Sequence, residues 1–167
     1  MLTLRLAERG DIKAIFGMYD NAIYDLTTKG INQWDAAYPD HRLLCRDISN
    51  RWMHILTDHA NIVSAVVINR QTDELYQTAV WSEGEFVVLH RLCVHPLYQN
   101  KGIGKKTALL AEEMLKEQGI RFIRLDAYIQ NPASIRLYES LGYRRVGTVF
   151  FRKGEFILFE KQISGSF

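Results

Sequence analysis

Phe86-Val87-Val88-Leu89-His90-Arg91-Leu92-Cys93-Val94 runs into His95-Pro96-Leu97-Tyr98-Gln99-Asn100-Lys101-Gly102-Ile103-Gly104, and this stretch decides the fold. Its first nine residues are rich in β-favouring side chains and long enough for a central strand. Pro96 has no amide hydrogen and ends the ladder. From Gly102 to Gln118 the spacing turns helical: Ile103, Thr107, Leu110, Ala111 and Met114 share a face. Gly119 stops that helix. A helix start exposes unpartnered N–H groups and the positive end of a dipole. Gly102 and Gly104 leave out side chains that would block a pyrophosphate, and Lys101, Lys105 and Lys106 add positive charge.

Two common nucleotide loops fail on this segment. The Walker loop needs a glycine at position 99 and Ser or Thr at 106, where Gln99 and Lys106 stand. The dinucleotide fingerprint needs a third glycine where Thr107 stands. A glycine-eased helix start with solvent lysines would produce the same pattern, so the loop alone does not establish a ligand.

Working outward, Leu2, Leu4 and Leu6 alternate as a short strand. Asp11 is positioned to cap a helix carrying Ile12, Ile15, Phe16, Tyr19 and Ile23. Residues 27–39 read as a loop and 40–50 as a short helix. Residues 52–57 and 62–69 read as a hairpin, and 70–84 as polar and irregular. Residues 121–128 form a strand. Asn131-Pro132 starts a helix that ends near Gly142, with asparagine as the cap and proline in the first turn. Residues 143–151 and 155–162 form a last hairpin around Lys153-Gly154. The order implies a mixed α/β sheet with helices on both faces.

The 167 residues fit one domain, read here as spanning 1–167. With 47% hydrophobic residues, a chain of this size buries a core without disulfide or metal staples, and no metal is expected. A net charge of +2 argues against a dedicated nucleic-acid partner. Cys45 and Cys93 read as reduced thiols. No apolar run is long enough for a membrane span, and Met1–Arg5 lacks the regions of a signal peptide. A cytoplasmic location is therefore expected.

Gln99-x-x-Gly102-x-Gly104 resembles the acetyl-CoA signature of the GNAT superfamily of N-acetyltransferases. Leu92-Cys93-Val94-His95-Pro96 resembles the strand that precedes it. Asn131-Pro132-Ala133-Ser134 with Leu137-Tyr138-Glu139-Ser140-Leu141-Gly142-Tyr143 resembles the second cofactor motif. The element order resembles the family fold over nearly the whole chain. The resemblance implies an α/β (α+β) fold with a mixed, mostly antiparallel seven-stranded sheet and about four helices, in the order β-α-α-β-β-β-α-β-α-β-β. It also implies acetyl-CoA as cofactor and transfer of acetyl to a primary amine by direct attack on the thioester.

Carried over residue by residue, the resemblance makes the backbone N–H groups of Gln99, Asn100, Lys101, Gly102, Ile103, Gly104 and Lys105 the pyrophosphate cradle. Leu92, Cys93, Val94 and Asn131 would line the pantetheine arm, and Tyr138 would be the general acid. A phenol of pKa about 10 stays protonated at neutral pH and can donate to a departing thiolate whose thiol has a pKa of about 8.5. Tyr138 would equally serve as a packing tyrosine, Asn131 as a helix cap, and Cys93 as a small buried strand residue rather than a nucleophile. An alkylammonium of pKa roughly 10.4 costs about 4–5 kcal/mol to neutralise at pH 7. His90 is the first candidate base, because Leu89–His95 resembles the central strand of the arylalkylamine branch, where a histidine serves a proton relay. Strand alternation puts His90, Leu92 and Val94 on one face unless a bulge intervenes. Glu83, Glu85 and Asp126 compete for the role, and a structural histidine is the alternative.

In the family the acceptor pocket draws on the first helices and their loop. Gly30-Ile31-Asn32-Gln33-Trp34 resembles a segment of bacterial members whose substrates are poorly defined. Trp34 and Tyr38 would stack on an amine-bearing ligand, and Asp35 and Glu85 would attract its charge; the alternative is a loop pinned by buried aromatics. A small-molecule amine is the expected acceptor, and a homodimer fits family habit. An acyl-CoA-binding sensor or a protein N-acetyltransferase is the competing reading.

Overall fold

In the computed structural model, which describes residues 1–165, the elements follow the expected order. They are β1 (Leu2–Leu6), α1 (Ile12–Thr28), α2 (His41–Ser49), β2 (Met53–Asp58), β3 (Asn61–Asn69), β4 (Phe86–Val94), α3 (Ile103–Glu117), β5 (Phe122–Tyr128), α4 (Pro132–Ser140), β6 (Arg144–Phe151) and β7 (Gly154–Gln162). Single 3-10 turns lie at Arg9–Asp11, Glu74–Thr78 and Pro96–Tyr98. The seven strands are ordered β1-β2-β3-β4-β5-β7-β6. β1–β2, β2–β3, β5–β7 and β6–β7 pair antiparallel, whereas β4 pairs with β5 in parallel. The sheet is thus mixed and mostly antiparallel. No helix among the described residues is long and apolar enough to cross a membrane.

Two compact units make up the chain. The first comprises Met1–Ile68 and Arg91–Leu110, the second Asn69–His90 and Ala111 onward. The first is built on the helical spacing of α1, which buries Ile15, Met18, Tyr19 and Ala22. They pack with Leu44 and Ile48 of α2 and with Met53, Ile55, Ala65, Val67 and Cys93 of the strands. Asp40 caps α2, its carboxylate accepting the Leu43 N–H at 2.8 Å. Asp11 precedes α1 as expected, but its carboxylate makes no forward cap. It turns back to the Glu8 N–H at 2.8 Å and to the Arg5 guanidinium at 2.8 and 2.9 Å, a charged bidentate pair that holds it away from the helix start.

The second unit is organised by β5, β6 and β7. Tyr138 of α4 packs edge-on to Tyr143 with ring centroids 5.5 Å apart and lies 6.1 Å from Phe159 of β7. Glu160 of β7 is 1% exposed. Arg124 at 3.3 Å and Arg144 at 3.4 Å face it, and it accepts the Ser82 N–H, so its lone pairs are met. The stretch 70–84, read from sequence as irregular, contains a turn at Glu74–Thr78 that buries Tyr76. Asp73 caps this turn through the Leu75 N–H at 2.9 Å.

Candidate active site

The first unit holds the end of β4 and the turn that leads into α3. β4 does not keep the simple alternation expected of it. Arg91 has φ 51°, a left-handed conformation that breaks the two-residue period between His90 and Leu92. What holds Arg91 there is a buried cluster. Its carbonyl accepts the Tyr19 hydroxyl at 2.6 Å. Its guanidinium makes a bidentate pair with Asp47 of α2, Nε to Oδ2 at 3.0 Å and Nη2 to Oδ1 at 2.9 Å. Asp47 is fully buried, and burial raises its pKa against the opposing pull of Arg91. The sequence reading missed this pair. Its only trace is Asp47 on the apolar face of α2, three residues after the buried Leu44.

Beyond Val94 the chain is pinned by the His95 N–H to Val63 carbonyl bond at 2.9 Å. The His95 Nδ1 then accepts the Leu97 N–H at 3.2 Å, which closes the turn. Asn100 and Gly102 take φ 59° and 75°. Such a φ favours glycine, and a Cβ on Gly102 would meet nothing within 4 Å. The approach to the helix start is therefore open, as a pyrophosphate requires. The first bond from the Gly102 carbonyl into α3 goes to the Lys106 N–H at 3.0 Å. The N–H groups of Ile103, Gly104 and Lys105 precede it and have no intrahelical acceptor. Lys105 and Lys106 are exposed on this turn. Lys101 folds back, donating to the Leu97 carbonyl at 3.1 Å, and so contributes charge rather than reach.

Thr107 occupies the place where a dinucleotide loop would carry its third glycine. Its hydroxyl donates to the Ile103 carbonyl at 2.8 Å. Its one proton is thereby used, so the Ser64 hydroxyl 2.6 Å away is the donor to Thr107. This buried chain seats the first turn of α3 on β3. The Gln99 side chain is also a brace: Nε2 donates to the Val94 carbonyl at 3.4 Å, and Oε1 accepts Lys29 Nζ at 3.1 Å. Cys93 is 2% exposed, and burial pushes its thiol well above the usual range, so it stays protonated.

On the acceptor side, Trp34 is 7% exposed and belongs to the core, with its ring 5.7 Å from Tyr19. Its burial leaves little indole for a ligand. Tyr38 is 38% exposed and its hydroxyl accepts Arg91 Nη1 at 3.1 Å. The Asp35 carboxylate accepts the N–H groups of Ala37 and Tyr38 at 2.9 and 3.0 Å, shaping the loop.

The second unit holds the proton-transfer candidates. Asn131 caps α4, its Oδ1 accepting the Ser134 N–H at 3.3 Å, with Pro132 in the first turn. Tyr138 is 7% exposed. Burial, and secondly the charge of Asp126, hold its phenol well above the normal range, so it carries its proton at any physiological pH. The Asp126 carboxylate in turn accepts the Tyr76 hydroxyl at 2.5 Å. His90 Nε2 lies 2.8 Å from Asn69 Oδ1. Glu85 pairs with Arg70 at 2.7 Å on the exposed surface, a contact worth little in stability but one that neutralises its charge.

An open cradle at a helix start and a buried, protonated tyrosine on an asparagine-capped helix agree with one family. The acetyltransferase (GNAT) family model matches residues 21–143. The chain belongs to the GNAT family. It is an N-acetyltransferase that uses acetyl-CoA. A curated relative, the L-methionine sulfoximine/L-methionine sulfone acetyltransferase of Salmonella typhimurium, is 28% identical over 145 residues, covering 85% of this chain and 80% of the relative. A GNAT acetyltransferase structure from Streptococcus agalactiae superimposes with a TM-score of 0.85 at 18% identity, covering 96% of this chain and 95% of that one. The Salmonella typhimurium protein yncA, solved with its cofactor acetyl-CoA, gives a TM-score of 0.73 at 19% identity over 99% and 95% of the two chains.

Proposed function

We propose that this GNAT enzyme acetylates the primary amine of a small molecule by direct attack on the thioester. The observation that carries the chemistry is Tyr138: a buried phenol on the asparagine-capped helix α4, which holds a proton at neutral pH that it can give to a leaving thiolate. The small acceptor is supported by the curated relative, whose name specifies amino-acid derivatives.

In this reading the N–H groups of Gln99 through Lys105 hold the pyrophosphate, with Lys105 supplying charge. Leu92, Cys93 and Val94 present backbone to the pantetheine arm, and Asn131 contacts the same arm while capping α4. Bound acetyl-CoA supplies an acyl carbon already activated as a thioester. Tyr138 gives its proton to the departing sulfur. His90 takes the proton lost by the acceptor ammonium. Cys93, held as a thiol, takes no covalent part. Tyr38 and Glu85 offer polar edges to the acceptor, and Trp34 acts from beneath as packing for the loop.

The test is a screen of amines and amino acids, methionine sulfoximine and sulfone included, read by release of CoA thiol. Turnover of a small amine is expected. Tyr138→Phe should lower kcat by about 10²-fold, the low end of what a positioned acid contributes, with CoA affinity nearly intact. Turnover confined to peptide N-termini would replace the small acceptor with a protein. CoA binding without any turnover would mark a sensor.

A further inference from the structure

We propose that the Tyr38 hydroxyl, held by the Arg91 guanidinium, is a specificity-determining donor to a carboxylate of the acceptor, so that the amine acetylated is that of an amino acid. This rests on the reading of a small acceptor taken by the loop ahead of α2. All the residues involved lie in the first unit. Asp47, fully buried on α2, takes Arg91 Nε and Nη2, and Tyr19 holds the Arg91 carbonyl. The guanidinium is thus fixed from behind. Its Nη1 faces Tyr38, 3.1 Å from the hydroxyl oxygen, with Cζ 5.9 Å from the ring centroid. Tyr38 is fixed at its backbone too: its N–H meets the Asp35 carboxylate at 3.0 Å, and its carbonyl accepts the Asp35 N–H at 2.9 Å. A 38% exposed phenol held at both ends has little freedom left to lose on binding.

Hydrogen counting gives the polarity of this corner. A guanidinium has only N–H donors, so the Tyr38 oxygen is the acceptor in its contact with Arg91. The one phenol proton is therefore not spent there, and among the described residues the hydroxyl makes no second hydrogen bond. Accepting from a cation polarises the O–H and strengthens it as a donor. Asp47 takes Nε–H and one Nη2–H, and Tyr38 takes one Nη1–H, so each terminal nitrogen of Arg91 keeps one further N–H. Donors alone suit a group that only accepts, and a carboxylate is such a group. An ammonium placed against Tyr38 would instead stand beside the guanidinium and be repelled. Asp47 does not reverse this preference, because its carboxylate is buried on the far edge of the fork and committed to it. The carboxylate end of the acceptor is thus drawn to Tyr38, and the amine lies at the other end.

The test is a matched series of acceptors on the full chain with acetyl-CoA, read by release of CoA thiol. Each α-amino acid of the screen is measured beside its carboxamide and its decarboxylated amine. The acid should exceed both in kcat/KM by about tenfold or more, the scale of a hydrogen bond to a charged group. Tyr38→Phe keeps the ring and removes only the hydroxyl. It should cut the preference for acid over carboxamide by about tenfold, chiefly through KM for the acid. A general loss of activity strikes both members of a pair alike and leaves that ratio untouched, so the ratio separates a binding role from a structural one. Turnover of small amines with no preference for the acid overturns the inference and leaves the small acceptor standing. A preference that Tyr38→Phe does not change also overturns it, and assigns the carboxylate to another group. Failure to turn over any small amine removes the small acceptor itself, and the inference with it.

Discussion

Removing the Arg91 guanidinium should be the most damaging single change in the first unit. Arg91→Met keeps a long apolar stem but leaves Asp47 without its countercharge. Asp47 is fully buried and the Arg91 side chain 7% exposed, with two bonds at 3.0 and 2.9 Å. Breaking such a pair from one side costs about 3–5 kcal/mol, because the remaining charge is stranded in a dry site. A chain of this size is stable by only about 5–15 kcal/mol. At roughly 2–4 °C per kcal/mol, Tm should fall by about 6–20 °C. The Arg91→Met/Asp47→Leu double variant should recover most of the loss, since no buried charge then remains. The pH dependence has a fixed sign. The folded-state pKa of Asp47 is already raised by burial, and loss of Arg91 raises it further. The folded variant then binds this proton more tightly than the unfolded chain does. Its deficit relative to the unmodified protein should be full at neutral pH and shrink as pH falls toward about 4, the unfolded carboxylate value. Urea unfolding at several pH values measures all of this. A deficit under about 1 kcal/mol, or a double variant weaker than the single one, would refute the claim that the pair is desolvated and coupled.

Gly102→Ala should cost about 1–2 kcal/mol from φ 75° alone, since the added Cβ has room. The Cβ would stand in the open approach to the cradle, so KM for acetyl-CoA should rise more than kcat falls; an unchanged KM in steady-state kinetics counts against a pyrophosphate there. Ser64→Ala should cost about 1 kcal/mol, and Thr107→Val more, because only the latter also strips the bond to the Ile103 carbonyl. Equal denaturation midpoints for the two would reverse the donor assignment. Cys93→Ala should retain turnover, and the native thiol should resist iodoacetamide at pH 8; loss of activity on alkylation of Cys93 in the folded protein would reopen a covalent route.

Much of this molecule is legible in the residue order because local rules govern it. Helical spacing in Ile12–Ile23, the glycine stop at Gly119 and the Asn131-Pro132 start all act within one turn of chain, and each element stands where those signals place it. The loop is equally local: Gly102, Gly104 and the lysines around them mark an approachable, positively charged helix start, though not by themselves a ligand. Acetyltransferase family membership followed from two such motifs at their separation. The tertiary structure decided what depends on partners far along the chain. Arg91 meets Asp47 across 44 residues and Tyr19 across 72, and no periodicity encodes a left-handed residue held from outside its own strand. Trp34 reads from sequence either as a ligand platform or as a buried pin for its loop, and only the packing shows it 7% exposed with its ring 5.7 Å from Tyr19 of α1. His90 Nε2 meets Asn69 Oδ1 at 2.8 Å across 21 residues, a contact no local spacing announces. Backbone signals come from neighbours in the chain and survive in the sequence, whereas charge state and burial are set by whatever folding brings alongside.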